Sequence, residues 1–214
     1  LTSDQVQSLA TDIIASLTSL QLSKLETEDV ASLTAGQIAA LGTRGVVSFT
    51  SAQLVALGSA GISSFGSRQI ASLSSSVIGA LTTQQISSLP TQLLHALTSS
   101  QMRGLETQDL VAMSGAQFAA LVDQAVGALS SAQIAALSSQ QVSALTSNQI
   151  AALSTFQIGS LSATQFEFMG PAKFASLSTL QLGALNGDVI RSLGASQMDA
   201  LNADQLAVIL SRLS

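Results

Sequence analysis

Apolar residues return along this chain in an eight-residue frame, at the fifth and eighth positions, separated by Ser, Thr, Ala and Gln. The frame is cleanest at residues 130–137, 138–145 and 146–153, which read Ser/Thr-x-x-Gln-Ile/Val-x-Ala-Leu. Its closing position is held by Leu9, Leu17, Leu25 and Leu33, then by residues such as Phe49 and Phe65, and on to Leu201 and Ile209. One continuous helix cannot obey this period. At about 100° per residue, eight residues overshoot two turns by about 80°, and the apolar stripe would wind round the helix within a few octads. A strand fails as well, since the fifth and eighth positions fall on opposite faces of a period-two element. The chain must therefore break its helix once per octad.

Each octad opens with a helix start signal. A Ser or Thr followed three residues later by Gln is a capping box: the hydroxyl accepts from an early helical N–H and the Gln amide reaches back to the cap N–H. The fifth and eighth residues then share one face of a helix of one to two turns. So short a helix does not recover its nucleation cost alone, so the helices must stack on one another. The pattern predicts an all-α repeat solenoid of short capped helices, with residues 1–214 forming a single continuous array.

A second period is superimposed on the first. Every other octad carries Gln at its fourth position without exception: Gln5, Gln21, Gln37, Gln53, Gln69, Gln85, Gln101, Gln117, Gln133, Gln149, Gln165, Gln181 and Gln197. The octads between them hold Asp29, Gly45, Gly61, Leu93, Lys173 and others at that place. This alternation predicts a superhelical coil of two octads, 16 residues, with 13 such coils between residues 2 and 209. Two unequal helices would run back to back in each coil, the looser one with its N-terminus on a wetter side. The Gln residues would form a ladder along one edge, each capping its helix and bonding the next Gln. With coils about 8–10 Å apart, the array would be a thin rod of about 100–130 Å.

Composition narrows the function classes. The chain is 47% hydrophobic yet 9% charged, with no Cys, Trp or Tyr and a net charge of −5. Without a basic cluster, nucleic acid is not an expected partner. Mean hydropathy is +0.48, but polar residues interrupt every octad and no apolar run reaches the roughly 18 residues of a membrane span, so membrane insertion is not expected. His95 is the single histidine and stands without ligand-spaced partners, so neither a metal nor a cofactor is expected. The acidic octads opening at Glu26 and Glu106 place carboxylates in a first helical turn, where the helix dipole accounts for them without a calcium site. No acid, base or nucleophile pair stands out from the repeat, and an enzyme is not expected.

One stretch breaks the pattern. Phe166, Phe168, Met169 and Phe174, with Phe156 nearby, supply either an exposed apolar patch for a partner or a bulkier local core beside a helix started by Pro171 at its first position. The bulkier core is the plainer of the two. Neither end carries a polar capping repeat, which implies continuation into a longer parent chain or end-to-end assembly of copies. The Gln ladder reads first as structural; the regular Gln, Ser and Thr face is the candidate surface for a glycan or other partner.

The octads at 130–153 resemble octapeptide-repeat regions of very large secreted or surface proteins of bacteria, described as adhesin-like or haem-utilisation-like. The resemblance implies an extracellular or cell-surface bacterial location and a structural or adhesive task. Octads such as 42–49 and 58–65, with Gly in place of both cap and Gln, depart from it, and regular coil geometry is least expected there.

Overall fold

A computed structural model describes residues 2–213, which form helices α1 to α26 and no strand. The helices are four to six residues long, apart from the final α26 (Ala203–Leu213) of 11 residues. The all-α repeat solenoid expected from the sequence is therefore what forms. The break between helices is one extended residue at the cap, such as Thr82 at φ −71° and ψ 154°. In every odd-numbered octad with a Ser or Thr cap, the hydroxyl accepts from the Gln N–H while Gln Oε1 accepts from the cap N–H; Thr34 and Gln37 do so at 3.3 and 2.9 Å. Gly66 has no hydroxyl, so the Gln69 N–H turns to the Gly66 carbonyl at 3.0 Å, while Oε1 still takes the Gly66 N–H at 2.8 Å.

The contacts divide the chain into two compact units, Leu1–Ala112 and Met113–Ser214. In the first unit, α1 (Ser3–Ser8) packs on α4 (Thr27–Ala31), α2 (Thr11–Ser16) on α5 (Ala35–Ala40), α10 (Ser75–Ile78) on α13 (Ser99–Gly104), and α11 (Thr83–Ser87) on α14 (Thr107–Ala112). In the second, α15 (Gly115–Ala119) packs on α18 (Ser139–Ala144), α20 (Thr155–Gly159) on α23 (Thr179–Gly183), and α23 on α26. Within each unit these helices thus rest on the one three octads earlier. The N-terminal end of the same helix overlaps the end of the helix four octads earlier, through contacts described below. The coil closes between three and four octads, in place of the two expected from the Gln alternation. That alternation is a parity: octads four apart are both odd or both even, so a Gln in an odd octad always meets another odd octad.

Fifth and eighth positions line the interior as expected. Ile70, Ile86, Phe118, Ile134 and Leu182 are fully buried, and the closing Leu residues of the middle octads are nearly so. The Gly-rich octads keep this order. Gly42 and Gly58 take positive φ, 60° and 63°, and start their helices directly after the preceding one, a conformation that costs a side-chain-bearing residue about 1–2 kcal/mol. Val46, Phe49, Ile62 and Phe65 remain buried. Small residues at the sixth and seventh positions serve close approach between helices three octads apart. A Cβ on Gly79 would stand 2.4 Å from the Gly104 carbonyl oxygen, and one on Gly127 would stand 2.8 Å from that of Ala152.

These clearances separate two glycines sharply. Gly79→Ala forces main chain apart and is expected to cost about 1–3 kcal/mol. Gly36→Ala, on an exposed face of α5 with its nearest neighbour 3.9 Å away, is expected to stabilise by about 0.5–1 kcal/mol through helix propensity. Chemical denaturation of the two variants beside the parent reads both signs.

Candidate functional site

The most regular residue of the chain is also among its most buried polar ones. Gln37, Gln53, Gln101 and Gln149 are 1–2% exposed. Their Oε1 is engaged in the capping box, and their Nε2 reaches main chain four octads earlier. Gln37 Nε2 donates to the carbonyls of Val6 at 2.9 Å and Leu9 at 2.8 Å. Gln53 does the same to Leu22 and Leu25, and Gln101 to Ile70 and Leu73. In the second unit, Gln149 donates to Phe118 and Leu121, Gln165 to Leu137, and Gln181 to Leu153. A helix end leaves up to four carbonyls without intrahelical partners. Here the side chain of a later helix start supplies their donors, so one amide caps two helices.

The expected ladder is therefore not Gln to Gln. Each amide spends both ends on main chain, which satisfies its own buried dipole as well as the two helix termini. Gln5 and Gln21 keep the capping box but are exposed.

The even-numbered octads use the same seat, and it is not on a wetter side. Gln141, Gln157 and Gln205 are buried and donate to Met113, Leu129 and Leu177. Leu93, Ala125 and Val189 fill it with apolar groups. Lys173 sends its ammonium to the Ser143 carbonyl, a cation at the negative end of a helix dipole. Asp29 and Asp109, both buried, instead accept from Ser3 Oγ at 3.4 Å and Thr83 Oγ1 at 2.7 Å.

A family model described as the ALTTAQ repeat matches residues 22–59, 46–83, 102–139 and 126–155, together just over half of the chain. The chain belongs to the ALTTAQ repeat family. Within each overlapping pair the matches of the ALTTAQ model begin three octads apart, the same step that separates packed helices. No curated protein matches the chain.

The five residues of the aromatic break fall on both sides of this ALTTAQ array's surface. Phe166, Met169 and Phe174 are interior, 0–2% exposed, and the rings of Phe166 and Phe174 meet edge to face at 6.2 Å and 87°. Their bulk fills the core beside α22 (Pro171–Phe174), with Pro171 at its start, so they do not form an interaction patch. Phe156 and Phe168 are 84% and 54% exposed. Leu180, unremarked in the sequence because Leu is everywhere in it, is 77% exposed on α23, three octads after Phe156 and at the same octad position. A groove of about 520 Å³ beside Phe156 is lined by Ser131, Thr155, Gly159, Ser160 and Ala184. Among the described residues there is no group of three or more His, Cys, Asp or Glu suited to a metal, and no helix is long and apolar enough to cross a membrane. His95 ends α12 (Thr91–His95) on the exposed side.

Two Gln substitutions distinguish the two jobs of the amide. Gln101→Ala strips donors from the buried Ile70 and Leu73 carbonyls as well as the acceptor for the Thr98 N–H, and is expected to cost about 3 kcal/mol. Gln21→Ala removes only an exposed cap contact and is expected to cost about 1 kcal/mol or less. Equal losses in denaturant unfolding would show that the carbonyl contacts contribute nothing.

Proposed function

We propose that the chain is a non-enzymatic structural spacer, a stalk or filament-forming segment of an extracellular or cell-surface bacterial protein. The observation that carries the reading is the fate of the Gln row. The side chain repeated most strictly is buried and bonded to main chain at both ends, so the regularity serves the array itself. What remains outside is a Ser/Thr-rich surface with one ion pair among the described residues, Arg191 to Asp188, exposed and of little energetic weight. Such a surface offers nucleic acid no attractive field. The resemblance to octapeptide-repeat regions supports the bacterial and extracellular setting, and it makes a longer parent chain or further copies of this one the natural partners.

A spacer lengthens in proportion to its repeats. Duplicating residues 130–153, three consecutive Gln-bearing octads, is expected to extend particles seen by negative-stain electron microscopy by one regular increment without loss of thermal stability. Particles of unchanged length, or a collapsed fold, would sink the reading.

A second reading is favoured by one observation, the exposed pair Phe156 and Leu180 beside a hydroxyl-lined groove. Under it the chain is an adhesive module for a glycan, a surface or another protein. Phe156→Ser leaves the interior untouched and is expected to abolish any such binding.

A further inference from the structure

We propose that the outer face of four stacked helices in the first unit binds an extended acidic polysaccharide in which every second sugar is a uronate. The 12 acidic residues of the chain are unevenly placed: residues 30–105 hold none, while Arg44, Arg68 and Arg103 lie within them. Here α6 (Gly42–Val46) packs on α3 (Ser19–Ser23), α9 (Ser67–Ser72) on α6, and α12 on α9. The third positions of these four octads are Leu20, Arg44, Arg68 and Gln92, all exposed. Sixth positions share that face one turn further on, and they add Val47 and His95, also exposed. The one ion pair among the described residues lies in the second unit, so Arg44 and Arg68 face solvent without a counter-charge. Along the sequence the two arginines are far apart; the three-octad packing sets them on neighbouring helices, about 8–10 Å from one another.

Spacing and chemistry select the occupant. A disaccharide of a linear polysaccharide is about as long as the 8–10 Å between packed helices, so carboxylates on alternate sugars come in step with Arg44 and Arg68. Each guanidinium takes a carboxylate in a bidentate fork. Leu20 and Val47, 71% and 52% exposed, offer aliphatic surface to the C–H faces of the sugar rings. Nucleic acid fits this face poorly. Its phosphates recur every 3.4 Å or so along a strand, much more densely than the arginines, and single strands bind by stacking bases on aromatic side chains. Phe49 and Phe65, the Phe residues of the first unit, are buried. Acids stand on both sides of the acid-free stretch, up to Asp29 and again from Glu106. They repel a dense polyanion along its length, and a sparsely charged polymer meets least of that repulsion. The face uses no residue of the Phe156 groove and does not depend on the adhesive reading of that groove.

The test is calorimetric titration of the full chain with a hyaluronan oligosaccharide, alternating glucuronate and N-acetylglucosamine, beside dextran and a single-stranded DNA oligomer of matched length. Hyaluronan is expected to bind saturably at low salt and to be released towards about 1 M NaCl, where the screening length is about 3 Å. Dextran is expected not to bind, and DNA to bind more weakly than hyaluronan. Arg44→Gln and Arg68→Gln are each expected to weaken hyaluronan binding about two- to five-fold, with the unfolding temperature unchanged because both side chains are exposed. Arg103→Gln removes the same charge from α13, outside the stack, and is expected to leave binding as it was. Phe156→Ser is expected to do the same, so this site and the adhesive reading fail separately. No saturable binding of hyaluronan at low salt, equal binding of dextran, tighter binding of DNA, or an equal loss from Arg103→Gln would each overturn the site.

Discussion

One hydrogen-bonding arrangement organises this molecule: a Gln at the third position of a short helix whose Oε1 caps its own helix start and whose Nε2 caps the end of another. A helix of five residues has no interior, since nearly every N–H and carbonyl lies within the first or last turn. Aliphatic burial at the fifth and eighth positions supplies the driving force, but it is non-directional and would accept many packings. The amide selects among them. It fixes the offset between successive coils at 28 to 31 residues, and so sets where the coil closes. A carbonyl left buried without its donor costs about 1–3 kcal/mol, enough in each coil to disfavour a slip of register.

Closure between three and four octads gives the helices within each unit two kinds of neighbour. The helix body lies against the helix three octads earlier, and close approach there is allowed by small residues such as Gly79 against Gly104 and Gly127 against Ala152. The helix start lies over the end of the helix four octads earlier. The two contacts have opposite parity. A packing face must therefore suit odd on even, while a carbonyl seat joins odd to odd and even to even. That difference explains how Gln is invariant in one set of octads and replaced by Leu93, Ala125, Val189 or Lys173 in the other, although both sets lie in the same kind of buried seat.

What the sequence made legible is what is local. Ser or Thr three residues before Gln announces the cap, and a spacing of three between aliphatic residues announces a shared face; both appear in the structure where they were expected. Coil size was not legible, because the acceptor of the Gln amide is main chain some 30 residues away and leaves no mark on side-chain identity. Gln alternation was the only longer period in view, and it reports parity. The aromatic break was legible as an anomaly and not as a location. Phe166 and Phe174 sit at fifth positions of their octads, which the frame already assigns to the interior, whereas Phe156 sits at a third position, which the frame assigns to solvent. Applying the octad position to each residue separately, Leu180 included, would have divided core from surface.

A main-chain acceptor also shapes how such an array can vary. The carbonyls are present whatever the residue, so each seat tolerates any side chain that satisfies or covers them: an amide, the Lys173 ammonium, or an apolar plug such as Leu93. Octads can therefore diverge singly, and the fold exerts little demand on the second and third positions. A carboxylate is the substitution that fits least well, since it sets negative charge near the negative end of a helix. Thr83 relieves this in part by donating to Asp109 from the helix three octads earlier. The seat is thus uniform in its acceptors and variable in its donors.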